Sequence, residues 1–453
     1  MTSRNWHTRF GFYFLAVGSA FGLGNLWRFP YVVGENGGGA FVLLYIFLAL
    51  TLGMPLLIGE LMLGRFTRQS VMMAAKKISV NSGKKFKLLS AMPVVMSLVV
   101  LSYYSVISGW VLHFILQFSL SLFGSSQIGS GSMMSLLKNG GLQFGLASVH
   151  LLITLIVVVK GIQDGLEKWI GWMMPFFAFL VVILIWRSTS LSTTTEVMRF
   201  LFYPDFSKLT LSSLNHAIGH VFFTLSVGFG TMVTFGSYIR DDQHLPTVGL
   251  RVAFFDTIVS FGGLFIVFPL VFKASNQVIT DPALMFDVLP QFFNEMNGGL
   301  LFGLAFFVCL YMAALNASIG LLETIVSNIV DTFKGMSRSR AGWMSGLTAL
   351  FLTLLPALSG SFFSETRLGQ KGLIELIDSL LINGFLPLVA LGLSFIFFKG
   401  LSLKEKERLF IDKEKFVSYS MFPQWIFAVQ WFAPVVIILG WILHLFGLLT
   451  GHV

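Results

Sequence analysis

The chain has 453 residues, of which 55% are hydrophobic and only 11% charged, and its mean hydropathy is +0.81. That much Phe, Leu and Val has no place on a water-exposed surface, which excludes a soluble enzyme or nucleic-acid-binding domain and leaves a polytopic membrane protein. The formal net charge of +9 is then a topology signal facing anionic lipid head groups, and the single Cys309 excludes an intrachain disulfide or a cysteine metal cluster.

A helix needs about twenty apolar residues to cross the hydrocarbon core. Such windows predict eleven helical spans, near 10–33, 40–63, 88–121, 142–159, 166–187, 213–239, 248–272, 298–330, 341–357, 373–398 and 425–447. The first carries the run GSAFGLGNLWRFP at 18–30, where Gly18, Gly22 and Gly24 let the backbone leave helical geometry and Asn25 and Arg28 lie at membrane depth. Lipid tolerates such a break only where the freed backbone groups line a cavity or bind something, and an intramembrane ionisable residue marks a functional site. GENGGG at 34–39 lacks the Lys-Ser/Thr of a phosphate-binding loop and reads as a tight turn. A second break, Ser226–Val227–Gly228–Phe229–Gly230, interrupts the sixth span. Two interrupted spans in corresponding halves point to a midplane substrate site.

With the N-terminus inside, cytoplasmic segments hold 22 Lys/Arg and outer segments seven. The positive-inside rule then places the N-terminus in the cytoplasm and the C-terminus outside. No cleavable signal peptide is expected, because no small-residue cleavage site precedes the first span.

The breaks have a chemical logic of their own. A half-helix N-terminus presents unpaired N–H groups suited to a carboxylate, and half-helix C-terminal carbonyls suit a hard cation such as Na⁺. Asn25, Thr224 and Asp256 add side-chain oxygens, although a helical Thr such as Thr224 also back-bonds to its own carbonyls. A buried Asp256 needs a cation, a proton or a donor beside it. HExxH and GxSxG are both absent, so an intramembrane enzyme is not expected, and Glu60 and Glu323 read as structural hydrogen-bonding acids.

W-x-x-R-x-G-F at Trp6–Phe12, GSAFGLGNLWRFPY, GENGGGAF at 34–41, FFTLSVGFG at 222–230 and LPQFF at 289–293 resemble the neurotransmitter:sodium symporter family, most of all its bacterial eleven-span amino-acid transporters. The resemblance spans nearly the whole chain in order and spacing. It implies one all-α transmembrane domain over 1–453 with a leucine-transporter-type fold. Inverted five-helix repeats would cover about 10–187 and 213–398, helices 1 and 6 would be discontinuous, and an eleventh span would follow at about 425–447. It also implies a sodium-coupled symporter that imports a neutral, large hydrophobic or aromatic L-amino acid by alternating access. The alternative is a membrane amino-acid sensor on the same fold. Sodium, the amino acid and the bilayer are the expected partners, nucleic acid is not, and the chain would be a monomer or weak dimer.

Carried over by position, the resemblance implies a first sodium site at the Ala20 carbonyl, Asn25, Thr224, Asp256 and the substrate carboxylate. A second would use carbonyls of Gly18, Phe21 and Ala313 with side-chain oxygens at 316 and 317. The family pattern there is a pair of hydroxyls. This chain has Asn316, whose amide oxygen can serve, and Ala317, which offers none, with Ser318 one residue on. The substrate carboxylate would meet the N–H groups of Leu23 and Gly24 and the Tyr104 hydroxyl, and Gly22 leaves room for it. Val100, Ile107, Phe223, Ser226, Phe229, Ala317, Gly320 and Leu321 would wall the side-chain pocket. Arg28 and Asp378 would gate the outer side above Phe229, and Arg4, Trp6, Tyr238 and Asp331 the inner side. Positions matching a chloride site are Tyr45, His220, Thr224, Ser260 and Asp256, where the fixed carboxylate makes external chloride unnecessary and His220 adds a titratable group. Gly165 and Pro175 have the spacing by which some relatives unwind the fifth span.

Overall fold

The computed structural model describes residues 18, 22–83, 85–124, 132–191, 193–241, 243–275, 282–364, 366, 372–411 and 416–450. The expected site residues Arg4, Trp6, Ala20 and Phe21, and the motif at 6–12, lie outside the described residues. No strand occurs among the described residues.

A π-helical turn, Gly24–Arg28, runs into α1 (Phe29–Glu35). There follow α2 (Gly39–Thr67), α3 (Val71–Ser82), α4 (Lys87–Leu122), α5 (Ser132–Lys138), α6 (Gly140–Val159) and α7 (Ile162–Thr189). The second half begins with α8 (Thr194–Phe202), α9 (Leu211–Thr224) and α10 (Thr231–Ser237). It continues with α11 (Leu245–Ser275), α12 (Pro282–Glu295), α13 (Gly299–Thr332), α14 (Arg338–Ala357), α15 (Leu373–Gly400), α16 (Leu403–Phe410), α17 (Phe416–Phe427) and α18 (Ala433–Thr450).

Eight stretches are long and apolar enough to cross a membrane as unbroken helices: α2, α4, α6, α7, Leu245–Lys273 within α11, α13, α15 and Met421–Phe446. Three expected spans are not among them. Most of the first lies outside the described residues, and the sixth is split into α9 and α10, whose pieces are short. The ninth, α14, is long enough but opens on Arg338 and Arg340.

Local chemistry sets the ends. A reciprocal Thr210–Ser213 capping box starts α9, and Ser337 caps α14 by accepting the Arg340 N–H. The long helices α4 and α13 pack on each other, α10 lies against α2, and α11 lies against the Gly24–Arg28 turn. Gly64 and Gly236 allow the α2–α10 contact, because a methyl on either would run into the other helix's backbone. Phe47, Phe179, Trp186, Phe254, Phe351 and Phe446 remain exposed, as lipid-facing side chains must.

Candidate functional site

The two breaks face each other at the centre of the bundle. In the first, the Asn25 Oδ1 accepts the Gly22 N–H at 3.1 Å while the Asn25 N–H bonds back to the Gly22 carbonyl at 3.2 Å. The Leu23 N–H donates to the Tyr104 hydroxyl at 2.9 Å, which leaves that hydroxyl's own proton free to donate elsewhere. In the second break Ser226 has φ 54°, Gly228 φ 89° and Gly230 φ 73°. A non-glycine held in left-handed backbone costs energy and marks a constrained site. Glu60, reaching from α2, accepts the Gly228 N–H at 2.7 Å and so satisfies a donor that the break has orphaned.

An oxygen-rich cluster lies beside the first break. The Asn25 Nδ2 donates to Asp256 Oδ1 at 2.7 Å and to Ser260 Oγ at 2.8 Å, and the Tyr45 hydroxyl donates to Asp256 Oδ2 at 2.8 Å. Asp256 is 0% exposed, and no basic side chain pairs with it among the described residues. The donors Asn25 and Tyr45 are neutral, so an ionised Asp256 would hold its charge without compensation unless a cation joins it. Breaking a buried ion pair leaves such a charge at a cost of several kcal/mol. Carboxylate, amide and hydroxyl oxygens form the donor set of a hard cation. Thr224 is turned to back-bond, its Oγ1 donating to the His220 carbonyl at 3.1 Å. His220 stacks on Phe29, with centroids 4.8 Å apart, and its Nδ1 lies 3.3 Å from Arg28 Nη1. The imidazole therefore sits between the cluster and the outer ion pair.

Between the breaks is a cavity lined by Gly22, Gly24, Asn25, Tyr104, Phe223, Thr224, Ser226, Phe229, Thr231, Ala317 and Leu321. None of these carries a formal charge. Val100, Ile107 and Gly320, expected in the wall, are buried on α4 and α13 outside this lining. Thr231 was not anticipated; its signal is a hydroxyl directly after Gly230, where α10 begins. A methyl on Gly22 would come within 3.1 Å of the Tyr104 hydroxyl and 3.2 Å of the Ala317 Cβ, so no side chain intrudes there.

Outside the cavity, Arg28 pairs with Asp378 at 3.2 Å and also donates to Asn383 Oδ1 at 3.2 Å, and the Tyr103 hydroxyl donates to Asp378 at 2.9 Å. Asp378 and Asn383 are five residues apart. They reach one guanidinium because α15 contains a π-helical segment, Ser379–Phe385, whose i→i+5 winding sets such residues nearly above one another. The ring under Arg28 is that of Phe223, 5.8 Å from its Cζ. Phe229, expected as the lid below the gate, lines the cavity and meets the Phe223 edge at 6.3 Å.

On the opposite side Tyr238 donates to Glu323 at 2.8 Å, and Glu323 pairs with Arg338, a partner the sequence did not suggest. Asp331 accepts the Ser70 N–H at 2.9 Å at the start of α3. Arg65 and Arg68 bond the Gln243 and Ile239 carbonyls, tying α2 to the segment after α10. At the fifth span Gly165 lies in a π-helical segment, Ile162–Glu167, and Pro175 lies inside the helix, so this end is wound. Of the expected second cation set, Gly18, Ala313, Asn316 and Ala317 are described. The Asn316 Nδ2 donates to the Gly18 carbonyl at 2.8 Å. The amide oxygen offered to a cation therefore faces away, because the acceptor at Gly18 calls for a donor.

Comparison with known proteins gives the family and the fold. The model of the sodium:neurotransmitter symporter family matches residues 3–127 and 124–448. An uncharacterized sodium-dependent transporter, YhdH, from Bacillus subtilis is 34% identical over 448 residues, which is 98% of each chain. An uncharacterized sodium-dependent transporter from Haemophilus influenzae is 28% identical over 465 residues, 98% of this chain and 100% of that one. The crystal structure of MhsT in complex with L-phenylalanine matches with a TM-score of 0.88 and 29% identity, over 97% of this chain and 99% of that one.

Proposed function

The chain belongs to the sodium:neurotransmitter symporter family and is a sodium-dependent transporter, and from that premise we propose that it imports a large, neutral, hydrophobic or aromatic L-amino acid by alternating access. The observation that carries the ion coupling is the buried, uncompensated carboxylate of Asp256 beside the cavity. Sodium held by Asp256, Asn25 and neighbouring oxygens neutralises that charge. A substrate carboxylate that takes the Gly24 N–H and the Tyr104 hydroxyl proton, and draws the Leu23 N–H from Tyr104 to itself, would complete the ion's ligands. Each bound species then supplies part of the other's binding energy, which is what coupling means thermodynamically. With Asp256 ionised against the bound sodium, the negative charge comes from the protein itself and external chloride is not needed.

The cavity supports the substrate class. It offers backbone and hydroxyl groups at the breaks for the amino-acid head, and Phe223, Phe229 and Leu321 for an apolar side chain. A charged side chain would be buried without a partner. The L-phenylalanine bound by MhsT fits the same description. The Arg28–Asp378 pair serves as the outer gate, with the Tyr238 region on the cytoplasmic side of a bacterial inner membrane. Proteoliposomes with an inward sodium gradient test this: Leu, Met, Phe, Tyr or Trp should accumulate and compete with one another. Preference for Lys, Glu or a decarboxylated amine refutes the substrate class, and binding without accumulation refutes transport.

A further inference from the structure

The resemblance implies a second sodium between the first span and α13, and the residues present do not fit one. Hard cations take oxygen ligands. Here the group facing the Gly18 carbonyl is the Asn316 Nδ2, a donor, at 2.8 Å, and the thioether of Met174 on α7 lies 3.5 Å from the same nitrogen. A methyl on Gly18 would come within 2.7 Å of that nitrogen and 3.3 Å of the sulfur, so the three groups are close-packed. Ala317 has no side-chain oxygen and lines the substrate cavity. Ser318 is committed elsewhere: its Oγ lies 2.8 Å from His150 Nε2 on α6. The Asn316 Oδ1 is buried with no hydrogen-bond partner among the described residues, on the side of the carboxamide turned away from the Gly18 carbonyl. Presenting it to a cation at Gly18 requires turning the carboxamide over and giving up the bond now made.

We propose that the Asn316 carboxamide takes the place of the second sodium, fastening α13 to the first span by a neutral hydrogen bond, so that one sodium accompanies each substrate. This rests on the sodium:amino-acid reading above. A joint made by an amide does not dissolve when sodium is low. Among the described residues the sodium-sensitive element left is then the Asp256 cluster, and a zwitterionic substrate crosses with one net charge.

The test is the ratio of bound ²²Na⁺ to bound L-phenylalanine, or whichever amino acid the competition assay selects, on the purified full-length protein, together with the Hill coefficient of sodium-dependent binding. A ratio of about one and a Hill coefficient of about one are expected. A ratio of about two overturns the proposal. The double substitution Asn316→Thr with Ala317→Ser restores two hydroxyls and should raise both values towards two. If it leaves a native ratio of one unchanged, Asn316 is not what displaces the ion, and that assignment falls. If the double variant does not fold, the native ratio alone decides. Absence of any sodium-dependent amino-acid binding would instead bring down the functional reading itself, which separates the two failures.

Discussion

Replacing Asp256 by Asn tests the coupling mechanism most directly. The carboxylate is fully buried and is held by Asn25 at 2.7 Å and Tyr45 at 2.8 Å, with no basic partner among the described residues. Two opposite charges about 4 Å apart attract by about 4 kcal/mol at an effective dielectric constant of about 20. Asn keeps one oxygen ligand but removes that charge term, and a fraction returns because a neutral side chain is easier to bury. A net loss of about 3 kcal/mol remains, roughly 100-fold in sodium affinity. The sign in sodium-free buffer is opposite. There the native protein carries an uncompensated buried charge, so Asp256→Asn should melt at the same or a higher apparent temperature. At a sodium concentration that gives the native protein about 2.7 kcal/mol of ligand stabilisation, a 100-fold weaker site gives about 0.4 kcal/mol. Thermal-shift titration with NaCl against choline chloride reads both effects in one experiment. A variant whose sodium midpoint stays within about threefold of native, or which is destabilised without sodium, would refute the reasoning.

Three further outcomes follow from the same geometry. Tyr104→Phe removes the proton available to a substrate carboxylate and should weaken amino-acid binding roughly 10- to 100-fold with little change in sodium affinity, measured by scintillation binding. Equal loss of both would place Tyr104 in the scaffold. Glu60→Ala orphans the Gly228 N–H and should cost about 1–3 kcal/mol of stability, whereas Glu60→Gln keeps an acceptor and should melt near native; identical melting of the two variants would argue against the hydrogen bond. Asp378→Asn takes the charge from beside the buried Arg28 and should speed release of pre-bound L-phenylalanine to the outside several-fold, with unchanged release counting against Asp378 as the outer gate.

The sequence by itself determined the class of molecule and where its chemistry lies. Apolar windows of bilayer length and glycine-broken spans follow from what a lipid solvent demands of a backbone, and those demands are local enough to be read along the chain. The second break stands where the Ser226–Gly230 run placed it, with three left-handed residues in five positions. Arg28 and Asp378, 350 positions apart, also meet, but that pairing came from the family resemblance and not from any local pattern.

What tertiary structure decided is the direction in which each group points. Tyr103 and Tyr104 are neighbours in sequence, yet one serves Asp378 and the other Leu23, because successive helical residues face different ways. Asp378 and Asn383 share one guanidinium only because α15 is wound locally as a π helix. Phe223 lies against the Arg28 guanidinium, and Phe229 lines the cavity. The same Asn316 that offers an oxygen on paper presents its nitrogen to Gly18 once Met174 and Ser318 are in place. A carboxamide carries a donor and an acceptor on one carbon, and only its neighbours in space decide which of them the site receives.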